Sequence, residues 1–272
     1  MCIDAAKAKP KKPNFRPWLA FLPSLGMMVL SSGTMAGPNC EAGNGYVAVD
    51  LSSQVTPDFL RGLSEIGVGT VIRYYDWEKE TIPGKTISKN ELDLIKQVNL
   101  AVAVVFQHNN SAMATFKNKD RGNIDADRSL ALAASLGQPR GSAIYFGVDG
   151  PEAAYLAARK MAGLPSTDEY ADLFIKKYVG RYFSQIATKF KGSGYKVGAY
   201  GGGLTCQYLL DSGLADYCWL ANATTWPGYA AFEKSNRWAL KQHLTTKDCF
   251  GLAVDLNTGN DGIQDFGQWR PN

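Results

Sequence analysis

The chain has 272 residues, 45% of them hydrophobic and 20% charged, a balance that excludes a disordered chain, a coiled coil and a disulfide-dense miniprotein. One large globular domain or two small ones remain. The 29 Lys and Arg outnumber the 25 Asp and Glu, and this formal charge of +4 suggests nucleic acid or another anionic partner only if it belongs to the folded part.

The excess lies at the N-terminus. Lys7, Lys9, Lys11, Lys12 and Arg16 stand against the single acid Asp4, ahead of an apolar run from Trp18 to Leu30 and small residues at Thr34 and Ala36. A basic stretch, a short apolar stretch and a small-x-small site make residues 1–36 a secretory signal peptide. The run is shorter than the ~20 residues of a comfortable membrane span, and Pro23 and Gly26 weaken the alternative of a retained anchor. Cleavage leaves equal numbers of basic and acidic side chains, so the expectation is a secreted, periplasmic or cell-envelope protein with no nucleic-acid partner and no stable membrane span. Cys40, Cys206, Cys218 and Cys249 remain, an even number that permits two disulfides in an exported chain, or buried thiols.

From residue 45 onward, strand and helix signals alternate. Tyr46–Asp50 reads as a strand, and Thr56-Pro57 opens a helix by the cap-then-proline rule. Thr70–Tyr74 is a second strand, and Ser88 with Glu91 forms a capping box for the next helix. Leu100–Phe106 is a continuous apolar run, as in a parallel strand covered on both faces. A helix from Asn123 to Leu136, a strand over Ala143–Val148, a helical region from about Glu152 to Phe190 and a strand over Lys196–Tyr200 follow. A helix near Thr205–Leu210 completes five strand-helix units. Three more strands, Tyr217–Asn222, Trp238–Gln242 and Leu252–Asp255, are joined by connections with little helical periodicity. Eight strands in residues 37–272, with no repeat or linker, predict a single α/β domain, an irregular (β/α) TIM-type barrel. A doubly wound open sheet is the alternative.

In such a barrel the site lies where the strands end. The expected strand ends carry Asp50, Arg73, Tyr74, Asp76, Gln107, Asp149, Tyr200, Asn222, Gln242 and Asp255. Aspartate is disfavoured in strands, so three terminal Asp residues suggest a carboxylate-lined pocket, whereas any one of them alone reads as a turn residue. Paired carboxylates beside aromatic faces such as Tyr74, Tyr200, Trp219 and Trp226 suit glycoside hydrolysis.

The run Val47-Ala48-Val49-Asp50-Leu51-Ser52-Ser53-Gln54 resembles the opening strand of glycoside hydrolase family 25, the lysozyme-type muramidases. Trp219-Leu220-Ala221-Asn222, Lys241-Gln242-His243 and Gly251-Leu252-Ala253-Val254-Asp255-Leu256-Asn257 resemble its closing strands in the same order. Arg73-Tyr74-Tyr75 and Ile144-Tyr145-Phe146-Gly147-Val148-Asp149 look more like a divergent relative, the glycoside-hydrolase-like domain of uncharacterised function. The resemblance covers Gly45 to Asn257. It implies an irregular barrel of five strand-helix units and three further strands. It also implies Asp149, Asp50 and Asp255 as catalytic carboxylates, with Asp149 as the acid. Arg73, Tyr74, Asp76, Gln107, Tyr200, Trp219, Asn222 and Gln242 become candidates for binding a glycan or peptidoglycan. The muramidases carry an Asp-x-Glu pair at the end of strand four; here Gly147 holds the first position and Asp149 the second. The acid is kept one methylene shorter and its neighbour is lost. Near-attack geometry loses about a hundredfold in rate per ångström, so two readings stay open, a glycosidase and a non-catalytic glycan-binding barrel.

Other constellations fail. Gly84-Lys85-Thr86 lacks the earlier glycine of a phosphate-binding loop and reads as a turn. Two histidines, His108 and His243, without a Cys-x-x-Cys do not make a zinc site, and no Gly-x-Ser-x-Gly elbow is present. No cofactor or metal is expected. If the barrel closes, strands one and eight are neighbours that begin at the same end, which would pair Cys40 with Cys249 and leave Cys206 with Cys218.

Overall fold

Strand formation follows the apolar runs. In the computed structural model, which describes residues 40, 45–77 and 82–272 apart from the side chains of 244–247, eight strands close into one barrel in chain order. Residues 1–36, expected to be a signal peptide, lie outside the described residues.

The first half repeats one unit. Strand β1 (Tyr46–Asp50) leads to helix α1 (Pro57–Glu65), where the Thr56 hydroxyl accepts from the Phe59 amide and Pro57 occupies the first turn. Strand β2 (Thr70–Tyr75) leads to α2 (Lys89–Gln97), which starts with the expected Ser88–Glu91 capping box. Strand β3 (Ala101–Phe106) is buried at every position. It is followed by a short helix that sequence periodicity does not reveal, α3 (Met113–Lys117), and by α4 (Arg121–Leu136), closed by left-handed Gly137. After β4 (Ala143–Gly147) the long helical region resolves into α5 (Pro151–Met161), α6 (Asp168–Phe174) and α7 (Gly180–Phe190), the last two joined by a π-helical turn over Ile175–Val179. Then come β5 (Lys196–Gly201), α8 (Gly203–Asp211) and β6 (Tyr217–Leu220).

The last third departs from expectation. A helix, α9 (Tyr229–Ser235), lies between β6 and β7 (Leu240–Cys249), anchored by buried Tyr229 and Phe232. Strand β8 (Leu252–Gly259) runs antiparallel to both β7 and β1, whereas β1 to β7 are parallel. Phe250 and Gly251, both at positive φ, form a two-residue hairpin turn between β7 and β8.

Strand alternation sorts the interior. Val71, Tyr75, Val104, Phe106, Ile144 and Phe146 face the helices and pack with residues such as Phe59, Ile95 and Phe183. Ile72, Val105, Tyr145 and Trp219 fill the barrel itself. The C-terminal segment covers the end where the strands start: Trp269 bridges to Val102, and the Phe266 carbonyl accepts from the Tyr145 hydroxyl, 2.8 Å away.

Cys40 is bonded to Cys249 and Cys206 to Cys218, with Cα atoms 5.3 and 5.6 Å apart. The first pair forms for a different reason from the one expected. Because β8 is antiparallel, its start lies beyond the rim where Asp50 pairs with Asp255, so Cys249, still just ahead of β8, lies at the opposite end of the barrel from the one expected. Cys40–Cys249 ties residues 209 apart and Cys206–Cys218 only 12 apart. On chain entropy, removing the longer link by paired Cys→Ser substitution is expected to cost roughly 2–5 kcal/mol, about 2 kcal/mol more than removing the shorter. Guanidinium unfolding of both double variants checks the order; equal losses contradict it.

Candidate active site

The inward positions at the strand ends build one site. Along β4 and its extension, Tyr145, Gly147 and Asp149 share a face, while Ile144, Phe146 and Val148 turn to the helices. The antiparallel register sets Asp255 opposite Asp50, so β8 delivers its carboxylate to the same rim from mid-strand rather than from its end. A cavity of about 210 Å³ opens there, lined by Tyr74, Gln107, Asp149, Tyr200, Trp219 and Asp255, with Val105 and Gln242 completing the wall. Tyr200 and Trp219 pack edge to face, ring centroids 4.7 Å apart.

One hydrogen-bond network fixes the acids. The Gln242 side-chain amide donates to both Asp50 oxygens (3.3 and 3.2 Å) and to Asp255 Oδ2 (3.3 Å), so the two carboxyl groups are neighbours. Tyr200 donates to Gln242 Oε1 at 2.9 Å, and Trp219 Nε1 donates to Asn257 Oδ1 at 2.8 Å. An indole N–H only donates, so the Asn257 oxygen must face it and the amide nitrogen is left for Asp50 Oδ2, 2.8 Å away. Asp255 Oδ1 is buried and has no hydrogen-bond partner among the described residues, an acceptor at the cavity wall. Asp149 accepts from Gln107 Nε2 at 3.3 Å.

Burial governs the acidities. It pushes the Asp50 carboxyl up from 3.8 to about 7, helped by the Asp255 charge and opposed by hydrogen bonds from Asn257, Gln242 and Tyr74. Burial also raises Asp149, with the Lys85 charge pulling the other way, and raises Asp255. The consequence for stability has a definite sign. Between 3.8 and about 7 the folded protein keeps a proton on Asp50 that the unfolded chain has released, so stability falls as pH rises through this window, by at most about 1.4 kcal/mol per pH unit from this group. Thermal melts at pH 5 and pH 8 are expected to show wild type losing stability and Asp50→Asn losing less; parallel losses contradict this.

Gln107 packs against the position where the strand-four pair would carry its first acid. A Cβ at Gly147 would lie 3.2 Å from Gln107 Cγ, so the Gln107 side chain would have to give by a few tenths of an ångström to admit one. The same Gln107 side chain donates to Asp149.

Three expected binding residues are placed elsewhere. Arg73 lies on the helix-facing side of β2, fully buried, with Nε 2.9 Å from Glu91 and its other nitrogens donating to the carbonyls of Leu51 and Gly84. Its role is structural because period-two alternation sends Tyr74 inward and Arg73 outward. Asp76 is fully buried and bound by His108 Nδ1 (2.8 Å), Lys85 Nζ (3.0 Å) and the Trp77 amide (2.6 Å), outside the cavity wall. Asn222 lies past the end of β6, beside a turn in which Ala223 donates to the Ala221 carbonyl, and does not line the cavity. Conversely, Asn257 and Lys85 have roles that sequence reasoning gave to neither. Asn257 is two residues from Asp255, hence on the same strand face, a signal that was available. Lys85 sits 4.8 Å over the Tyr74 ring and binds Asp76 and the Gln107 carbonyl, a placement its turn sequence does not announce.

A larger cavity, about 640 Å³, lies at the opposite end of the barrel among Thr70, Ala101, Phe266, Trp269 and Arg270; its one carboxylate is Asp261, so it gathers no acid pair. Among the described residues no group of three or more His, Cys, Asp or Glu side chains is placed to hold a metal ion, and no helix is long and apolar enough to cross a membrane.

With this geometry in view, residues 61–162 match the family model described as Rv2525c-like, glycoside hydrolase-like domain. The uncharacterized protein YbfG of Bacillus subtilis is 28% identical over 199 residues, covering 72% of this chain and 26% of that protein. The uncharacterized protein FadG of the same organism is 25% identical over 263 residues, covering 91% of this chain and 40% of that protein. The chain thus spans well under half of either relative. The crystal structure of the Tat-secreted protein Rv2525c of Mycobacterium tuberculosis, in complex with L-tartrate, superposes with a TM-score of 0.63 at 21% identity, covering 83% of this chain and 99% of that one. The fold is that of a glycoside hydrolase-like barrel.

Proposed function

We propose that the protein is an exported glycoside hydrolase that acts on peptidoglycan or another polysaccharide at the end of the barrel where β1 to β6 end. The observation that carries this is the convergence of Asp50, Asp149 and Asp255 with Tyr74, Tyr200 and Trp219 on one small cavity and its hydrogen-bond network. In this reading Asp149 protonates the leaving oxygen, since burial raises its acidity range toward that of a working acid. Asp255, with a free acceptor oxygen, and Asp50 behind it stabilise positive charge on the sugar or orient it. The aromatic rings supply flat faces for sugar, and Gln242 and Asn257 hold the carboxylates in place. Export is supported by the basic and apolar leader, by the two disulfides, and by the secretion of the structurally similar mycobacterial protein.

A second reading, a barrel that binds glycan without cutting it, is favoured by Gly147 standing where the strand-four pair would carry its first acid, with Gln107 packed against it. Release of reducing ends from purified peptidoglycan and a panel of polysaccharides, measured alongside binding to the same glycans, separates the two. Release supports the hydrolase; binding without release removes it in favour of the binding reading; neither binding nor release removes both.

A further inference from the structure

One buried acid takes no part in the proposed reaction. Glu152 lies in the first turn of α5, three residues after Asp149, and is 1% exposed. Its Oε1 accepts from the Thr205 hydroxyl of α8 at 3.2 Å, while its Oε2 is buried with no hydrogen-bond partner among the described residues. The surrounding backbone is shaped to admit it. A Cβ at Gly202 would lie 3.1 Å from Glu152 Oε1 and 3.1 Å from the Trp226 ring, and a Cβ at left-handed Gly150 would lie 2.5 Å from the same ring. Trp226 therefore covers the two glycines that flank the Glu152 carboxyl, and water is kept from it.

A carboxylate so buried, with one oxygen unpaired, is poorly solvated in its charged form. The groups acting on it from the packed elements are few. They are its own backbone N–H and the Thr205 hydroxyl, which favour ionisation, and the Asp149 charge, which opposes it. We propose that Glu152 is a second acid of the site, a positioning residue held in its neutral form by its burial and its unpartnered Oε2, so that Asp149, three residues away, ionises beside a neutral group rather than beside another carboxylate. It touches no substrate. Its proton lets the charge left on Asp149 after proton donation stand alone in a low-dielectric wall, and loss of that proton at higher pH places a second buried charge beside it.

Burial sets the Glu152 carboxyl at about 7, with Asp149 adding to the shift. The proposal extends the reading of Asp149 as proton donor, but its test needs no substrate, so either can fail alone. Carbon-detected NMR of the protein labelled at glutamate and aspartate carboxyls is expected to show Glu152 titrating near neutrality. Asp149→Asn removes the opposing charge and lowers the Glu152 midpoint; Thr205→Val removes the hydroxyl and raises it. Opposite movements support the coupling. A Glu152 midpoint in the ordinary glutamate range in wild type, or one unmoved in Asp149→Asn, overturns it. Glu152→Gln supplies a second measurement: it keeps the neutral shape, so it is expected to match wild type in thermal stability at pH 5 and to exceed it above pH 8. A carboxylate needed in its charged form would instead make this variant less stable at both.

Discussion

Asp149→Asn is expected to slow glycan hydrolysis by about 10²–10⁴-fold, the usual contribution of a general acid, while leaving glycan binding within a few-fold of wild type. Asparagine keeps the size of the side chain and can still meet the Gln107 amide that lies 3.3 Å from the carboxylate. What it removes is the dissociable proton. Initial rates and affinities measured on the same glycan would check the split. A variant that hydrolyses at the wild-type rate would remove Asp149 from the acid role, and Asp50, which burial holds at about 7, would be the next candidate. A variant that loses binding and rate together would make Asp149 a contact residue instead.

The second large effect concerns stability. Arg73→Met is expected to cost about 3–5 kcal/mol of unfolding free energy, because it strands the buried Glu91 carboxylate as an uncompensated charge. The side chains of Arg73 and Glu91 are 0% and 4% exposed and 2.9 Å apart. Arg73 also ties the Leu51 carbonyl after β1 to the Gly84 carbonyl in the loop before α2, and Glu91 Oε1 accepts from the Val55 amide. Arg73→Lys keeps the charge but not the fork that reaches three acceptors, so an intermediate loss is expected. Adding Glu91→Gln to Arg73→Met removes the stranded charge and is expected to recover part of the loss. Denaturant unfolding of the three variants measures the series; a loss below about 1 kcal/mol in Arg73→Met would contradict a buried, mutually dependent pair.

Arg73 also marks the limit of what strand ends reveal. Apolar runs and caps were enough to locate the eight strands and the helices with strong signals, since Thr56-Pro57 and the Ser88–Glu91 box act within one turn. A residue's position at a strand end does not say which face it takes, and for Arg73 it was the helix side. Helix α9 escaped because seven residues without a side-chain cap leave little periodicity to detect. The direction of β8 is not legible from the apolar runs, because β7 and β8 extend well past them, to Cys249 and Gly259. Once β7 runs to Cys249, two residues separate it from β8, and a gap that short permits only a hairpin, since a parallel crossover needs about a dozen residues or more.

The sequence by itself determined that a leader-like segment carries the excess positive charge, that the rest is an eight-stranded α/β barrel, and that Asp50 and Asp149 follow strands that end at one rim. These are properties of local spacing and composition, which the chain carries before it folds. Only the tertiary structure decided how the acids are held and what acidity they have. Gln242 reaches Asp50 across 192 residues of sequence and Asn257 across 207, contacts that exist only because β8 turns back to close the barrel. The removal of water that raises Asp50, Asp149 and Glu152 is likewise a product of closure, because desolvation depends on everything packed around a group and on none of its neighbours in sequence alone.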